Sequence, residues 1–195
     1  MFKLVKILIV NFLGILILIN AQSVAAEGLK ISQLAPHFKL KKLNGSGAVV
    51  SKDTFPCQEL TVLIFWDSYC PECLDIIAEC QKFYKKADSL GVAVLSINFD
   101  RENIAGVRAF VKGVGITFPV LSDSRATVAA LYQADPYDFS FFIIDKKGII
   151  RYVCYEIPLD IYDHPSHIVK FMMDQVEKLL KTRIPEKSSK PKPKK

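Results

Sequence analysis

Cys70 and Cys73 are separated by two residues, and their type and spacing suit redox chemistry. A dithiol of this spacing can close into a disulfide and reopen, exchanging two electrons with another disulfide. The start of a helix lowers the pKa of a cysteine there, because unpaired N–H groups and the helix dipole favour the thiolate. Pro71 suits a first helical turn. We predict that Cys70 is the nucleophile and that Cys73 resolves the mixed disulfide.

A pair of this spacing can also be half of a zinc site or a structural disulfide. No second cysteine pair of matching spacing is present in the sequence, and the only other close pair is His164 and His167. A copper-binding module remains an alternative, although we expect these histidines to cap a helix or to face solvent. We predict no metal and no bound cofactor.

The elements around the cysteines are predicted by the apolar pattern. Residues 60–67 form a nearly continuous apolar run, which is typical of a central strand covered on both faces. A helix with one apolar face follows from Pro71 to about Leu90, and Gly91 stops it. The nucleophile therefore lies where a buried strand meets a helix.

Strands and helices then alternate, which predicts an α/β domain with parallel strand pairs and right-handed crossovers. We expect a leading hairpin that turns at Asn44-Gly45, and a final hairpin that turns at Lys146-Lys147-Gly148. The other predicted elements are strands at 92–98 and 117–121, helices at 104–114 and 125–132, and a closing helix at about 165–181 that is capped by Asp163 or His164.

The two ends of the chain differ from this pattern. Residues 1–26 have the form of a signal peptide, with Lys3 and Lys6 before an apolar run and small residues after it. An uncleaved membrane anchor is the alternative. We expect the domain at 27–181, a disordered Lys/Pro-rich tail at 182–195, and a periplasmic or other extracytoplasmic location, secreted or anchored by the N-terminal segment.

The formal net charge of +6 comes from these ends, because the stretch between them is close to neutral. Nothing in that stretch indicates a nucleic-acid surface. We predict a monomer that meets protein disulfide substrates and an upstream thiol reductant, with the N-terminal segment as its route to a membrane.

The stretch Phe65-Trp66-Asp67-Ser68-Tyr69-Cys70-Pro71-Glu72-Cys73 resembles the active-site segment of thioredoxin-fold proteins. The segment from Ala35 to Phe38 and the stretches at 96–100, 116–123 and 142–148 resemble the TlpA/ResA-type branch and the related redoxin or peroxiredoxin branch. The resemblance implies a thioredoxin-like fold, with a central mixed sheet flanked by helices and an N-terminal hairpin extension. It also implies disulfide reduction or exchange.

This chain departs from the family pattern at two sets of positions whose residues assist catalysis in relatives. Relatives usually carry a cis-proline just before the strand that faces the dithiol, but Phe139 occupies that position and Pro136 lies three residues earlier. The TlpA/ResA branch tends to place Glu and Pro where this chain has Ile76 and Ala78. We therefore expect slower exchange than in a standard member, or a specialised partner. A family member with a decayed catalytic edge is a further alternative.

A thiol peroxidase of the peroxiredoxin type is the rival enzyme. Its chemistry needs Thr or Ser three residues before the attacking cysteine and an arginine before the facing strand, whereas this chain has Asp67 and Phe139 there. An anion beside the thiolate raises the pKa of that thiol and disfavours the reaction. The peroxidase would need another arginine, such as Arg125.

The remaining predicted roles belong to side chains near the dithiol and to the other cysteines. We expect the substrate to meet Trp66, Tyr69, Pro71, Glu72 and Phe139, with Trp66 also packed beneath the dithiol and Glu72 biasing Cys70 towards the thiol. Cys80 falls on the face of the helix that carries Cys73, so we expect a buried inert thiol. Cys57 and Cys154 could form a bridge, but we favour two unpaired thiols.

Overall fold

The computed structural model of the chain describes residues 28–183, so the predicted signal peptide at 1–26 and nearly all of the predicted tail at 182–195 lie outside the described residues. Within 28–183, no helix is both long enough and apolar enough to span a bilayer. The described elements are β1 (Lys39–Lys42), β2 (Ala48–Val50), α1 (Ser51–Thr54), β3 (Leu60–Trp66), α2 (Pro71–Ser89), β4 (Val92–Asn98), α3 (Ile104–Val114), β5 (Val120–Ser122), α4 (Thr127–Tyr132), β6 (Ser140–Asp145), β7 (Ile150–Cys154), α5 (Leu159–Asp163) and α6 (His167–Arg183), with a 3-10 turn at Phe55–Cys57.

Seven strands form one mixed sheet in the order β2-β1-β5-β4-β3-β6-β7. The pairs β3/β4 and β4/β5 are parallel and are joined through α2 and α3, as the alternation of elements predicts. The pairs β3/β6 and β6/β7 are antiparallel, and so are the pairs that β1 makes. The predicted α/β class with a central mixed sheet and a leading hairpin is confirmed.

The sheet separates two apolar cores. One core contains the inner faces of α2, α3 and α6 and includes both cysteines of the active-site segment. The other contains α4 and the leading segment, with Phe38, Phe55 and Tyr132 among its members. Strand β3 contributes alternate residues to both cores and is buried along its whole length, as its unbroken apolar run predicts.

Two elements are shorter than the sequence predicts because side chains take the place of regular backbone pairing. The predicted strand at 117–121 begins only at Val120, since Asn44 and Gln81 bond to the backbone of Thr117 and Phe118. The predicted helix at 125–132 begins at Thr127, because Asp123 accepts the first N–H groups of α4 and Ala126 has a left-handed conformation.

The closing helix is also displaced. It begins at His167 rather than Pro165, and a separate short helix, α5, precedes it. His164 is the C-cap residue of α5, and its carbonyl accepts the N–H of His167. At its other end α6 continues to Arg183, two residues beyond the predicted domain end.

Candidate active site

The carboxyl end of β3 leads directly into the N-terminus of α2, and the two predicted redox cysteines lie at this junction. Cys70 is the N-cap residue of α2, and Pro71 is its first helical residue. Cys70 and Cys73 form a disulfide, with their Cα atoms 5.2 Å apart. Cys70 Sγ also accepts the backbone N–H of Cys73 at 3.2 Å. The sulfur of Cys70 thus lies at a helix N-terminus, where an N–H group and the helix dipole favour a thiolate.

The two cysteines differ in exposure. Cys70 is 5% exposed and Cys73 is fully buried, packed in the same core as Ile76. An attacking group from solvent therefore reaches Cys70 before Cys73. This order agrees with the predicted roles of nucleophile and resolving thiol.

Trp66 and Phe139 lie in the protein core rather than on the surface. Both side chains are fully buried in the core that contains the two cysteines. Trp66 Nε1 donates to Ser96 Oγ at 2.6 Å. Phe139 directly precedes β6, whose Ser140 pairs with Phe65, so the cis-proline position of relatives lies at this strand end. No cis peptide bond occurs within residues 28–183.

Tyr69, Pro71 and Glu72 form the exposed rim of the site. Tyr69 is 56% exposed and lines a groove of about 410 Å³. The groove is lined by small, aromatic and charged side chains: Tyr69, Phe99, Arg101, Glu102, Ala126, Ala129, Ala130, Ala134, Pro136 and Tyr137. Arg125, the arginine that a peroxidase would need, does not line this groove.

Asp67 connects β3 to the active-site turn as a buried carboxyl group, 2% exposed. Its Oδ1 accepts the backbone N–H of Tyr69 at 2.9 Å. Burial raises the pKa of Asp67 to about 6; the hydrogen bonds from the backbone of Tyr69 and Cys70 oppose this, and the nearby charges of Asp100 and Asp135 add to it. The sequence places Asp67 beside the nucleophile, but its burial follows only from the fold.

Asp100 has a supporting role that the sequence analysis did not assign. This residue is buried after β4, accepts the backbone N–H of Ser68 at 2.9 Å and also accepts the hydroxyl of Ser68. Asn98 Nδ2 donates to the same carboxylate at 2.6 Å. The sequence did contain a signal for this proximity. Asp67 directly follows β3 and Asp100 comes two residues after β4, and the carboxyl ends of these neighbouring parallel strands meet at one edge of the sheet.

The helix face next to Cys73 offers no carboxylate. Ile76 is fully buried there, Asp75 is exposed, and Glu79 forms an ion pair with Lys82 at 2.7 Å. Of the carboxylates that the sequence analysis placed near the dithiol, Asp67 is therefore the one that is buried at the active-site turn.

The other cysteines and the histidines lie apart from this site. Cys57, Cys80 and Cys154 are free thiols in the described part of the chain. Cys80 is fully buried, and burial raises its pKa. His167 bonds to Asp160 at 3.1 Å, and no group of three or more potential metal ligands occurs within the described part of the chain.

Comparisons with known proteins place the chain among thiol redox proteins. The AhpC/TSA family matches residues 31–153. The thioredoxin-like protein YneN of Bacillus subtilis is 30% identical over 125 residues, which cover 64% of this chain and 71% of the relative. Thiol-disulfide oxidoreductase ResA of the same organism is 28% identical over 138 residues, covering 69% and 73%.

A solved structure supports the fold. The crystal structure of a putative thiol:disulfide interchange protein DsbE from Chlorobium tepidum superposes with a TM-score of 0.64 at 22% identity, covering 78% of this chain and 99% of that one. The predicted thioredoxin-like architecture is thus confirmed.

Proposed function

Because this chain belongs to the AhpC/TSA family, we propose that it is an extracytoplasmic thiol-disulfide oxidoreductase that reduces protein disulfides through Cys70 and Cys73. The oxidoreductase class comes with the family, whose curated relatives carry that name. The direction of transfer, the location and the roles of the two cysteines are our proposal. The observation that carries it is the Cys70–Cys73 disulfide at the N-terminus of α2.

The reaction proceeds in two exchanges. The thiolate of reduced Cys70 attacks one sulfur of a substrate disulfide, so a Cys70–substrate bond forms and the other substrate sulfur leaves as a thiolate that takes up a proton. Cys73, once deprotonated, attacks Cys70 Sγ and releases the second substrate thiol. The product is the intramolecular disulfide described above, and an upstream thiol reductant supplies two electrons to reopen it. The cycle needs no bound cofactor.

The burial of the cysteines supports this order of events. Cys73 is fully buried and lies one helical turn into α2, where it reaches Cys70 but not a large substrate. Cys70, at the helix N-terminus, is stabilised as a thiolate by the N–H of Cys73 and by the helix dipole.

The groove beside Tyr69 is the proposed docking surface for the polypeptide around the substrate disulfide. Tyr69 adjoins Cys70 in sequence and lines this groove, so a chain held in it lies next to the nucleophile. Pro71 and Glu72 are the next exposed residues along the chain after Tyr69, so exposed residues lie on either side of the position that a substrate must reach. Trp66 and Phe139 are buried in the core that contains the dithiol, so they support it from within the fold.

The extracytoplasmic location rests on the sequence of the N-terminal segment. Lys3 and Lys6 precede an apolar run and small residues, the arrangement of an export signal or an anchor. Protein disulfides persist outside the cytoplasm, so substrates for such a dithiol are present there.

The substitution Cys73→Ser tests the proposed roles. Without the resolving thiol, the mixed disulfide at Cys70 should accumulate when reduced protein is mixed with insulin, and non-reducing electrophoresis with mass mapping should locate the adduct at Cys70. The matched control Cys70→Ser should give no adduct. If Cys73→Ser traps nothing and the native protein does not reduce insulin, the proposed function is wrong.

The substitution Tyr69→Ala tests the docking surface. Loss of this exposed aromatic side chain should raise KM for a protein disulfide about 3- to 10-fold, because aromatic anchors contribute strongly to binding. The rate with a small aromatic disulfide should stay close to that of the native protein. Leu90→Ala, at the far end of α2, is the control and should change neither value; equal losses in both variants would contradict the role of the groove.

A further inference from the structure

A buried carboxylate holds the turn that carries the nucleophile. Asp67 accepts the backbone N–H of Tyr69 at 2.9 Å and also interacts with the backbone N–H of Cys70. Its acidic group therefore lies against the backbone of Cys70 itself. The side chain is 2% exposed, so water screens its charge poorly.

A second buried carboxylate fixes this geometry. Asp100 binds both the backbone N–H and the hydroxyl of Ser68, the residue between Asp67 and Tyr69. Asn98 and Asn103 complete the support, since Asn98 donates to Asp100 and Asn103 donates to Ser68 Oγ at 3.2 Å. Ser68, the neighbour of Asp67, is thus held from the end of β4 and from the start of α3.

The charges around Asp67 are mostly negative. Asp100 faces it from the end of β4 and Asp135 from the loop before β6, and Glu72 lies in the first turn of α2. Burial, Asp100 and Asp135 raise the pKa of Asp67 to about 6, against the hydrogen bonds of the Tyr69 and Cys70 backbone. Arg101 directly follows Asp100 in the sequence, and it lines the groove beside Tyr69.

We propose that Asp67 tunes the reactivity of Cys70: when ionised it disfavours the Cys70 thiolate, and when protonated it leaves that thiolate to the stabilising helix N-terminus. The inference rests on the proposed function, in which Cys70 is the nucleophile. Asp67 is a positioning residue in this scheme, because it holds the turn and acts on Cys70 through its charge and takes no part in bond exchange.

The sign of the effect defines a pH window. Below about pH 6 Asp67 is neutral and the helix N-terminus lowers the pKa of Cys70. As the pH rises through 6, Asp67 becomes charged and raises the pKa of Cys70. The titration of Cys70 therefore extends over a broader pH range than the titration of an isolated thiol, because Asp67 and Cys70 titrate as a coupled pair.

The test uses the full chain with Cys73→Ser, reduced, with and without Asp67→Asn. The rate of alkylation of Cys70 by iodoacetamide is measured from pH 4 to 10, and the peptide carrying Cys70 is quantified by mass spectrometry so that Cys57 does not interfere. Asparagine keeps an oxygen that accepts the N–H of Tyr69 and removes the charge. The midpoint for Cys70 should fall by about one pH unit, and the broad profile should narrow to that of a single proton.

The matched control is Glu72→Gln. It removes an exposed carboxylate two residues after Cys70, whereas Asp67 lies three residues before Cys70. Its midpoint should move by less than half as much, because solvent screens the exposed charge. The inference is overturned if Asp67→Asn leaves the midpoint unchanged, or if Glu72→Gln shifts it equally. The broad profile of the Cys73→Ser protein with Asp67 intact tests the same coupling without a second substitution. Failure of the proposed function looks different, because then Cys73→Ser traps no substrate at any pH.

Discussion

At the scale of single residues, Asp67 should also control how stability depends on pH. Its pKa of about 6 in the folded protein lies above the ordinary value of 3.8, so folding binds a proton between these values and stability falls as the pH rises from 4 to 6. Asp67→Asn removes this dependence. Relative to the native protein, the free energy of unfolding of the variant should rise across that window by up to about 3 kcal/mol and stay level above pH 6.

Urea denaturation of the oxidised protein at pH 4, 5, 6 and 8 measures this difference. The control is Asp75→Asn, which removes an exposed carboxylate of α2 and keeps Asp67. Its difference in stability from the native protein should be small and nearly the same at all four pH values. A constant difference between Asp67→Asn and the native protein at all four values would contradict an elevated pKa at Asp67.

The redox cysteines were predictable from their spacing, whereas the burial and the raised pKa of Asp67 were not. A local pattern of about a dozen residues predicts that Cys70 and Cys73 lie between a strand and a helix. The raised pKa of Asp67 depends on its burial and on the charges of Asp100 and Asp135, which approach from distant parts of the chain. Long-range electrostatics of this kind require the fold, because sequence position alone does not give distance.

At the scale of elements, Asp123 determines where α4 begins. Its carboxylate accepts the backbone N–H groups of Thr127, Val128 and Ala129 at 3.1, 2.8 and 2.8 Å. Helix α4 has only six residues and supplies part of the lining of the groove beside Tyr69. The N-terminus of this helix thus depends on one buried side chain.

Asp123→Ala should lower the free energy of unfolding by about 1–3 kcal/mol, because it leaves buried N–H groups without a partner. Asp123→Asn keeps one acceptor oxygen and should cost less. Thermal and urea unfolding of the two variants measure the difference. Equal stability of Asp123→Ala and the native protein would show that this cap does not hold α4.

The elements with unbroken apolar patterns were the ones the sequence predicted best. The bounds of β4 and α3 agree with the prediction residue for residue, since each is set by its own periodicity. The starts of β5 and α4 were wrong by two or more residues because Asn44, Gln81 and Asp123 bond to the backbone there. Side chains that replace regular backbone bonds leave no periodic signal.

At the scale of the whole molecule, the sheet keeps Cys57 and Cys154 apart. Cys57 follows Phe55, which packs on the α4 side of the sheet, and Cys154 belongs to the core on the α2 side. A bridge would have to pass through the sheet or around its edge. Both thiols are free, which agrees with this arrangement, and Cys154 donates to the carbonyl of Glu156 at 3.2 Å.

A thiol titration of the oxidised chain tests this arrangement. Cys57 is exposed, whereas Cys80 is fully buried and Cys154 is 7% exposed. Burial also raises the pKa of Cys154 to about 12, with smaller contributions from Asp138 and Glu156, so little of the reactive thiolate is present at pH 8.

Only Cys57 should therefore react rapidly with a thiol reagent in the native oxidised protein. All three free cysteines should react in denaturant, and all five of the chain's cysteines after reduction. The control Cys57→Ser should abolish the rapid reaction and leave Cys80 and Cys154 reactive in denaturant. A Cys57–Cys154 bridge would instead leave Cys80 as the one reactive thiol of the denatured, unreduced chain, and that result would contradict the separation of the two cysteines by the sheet.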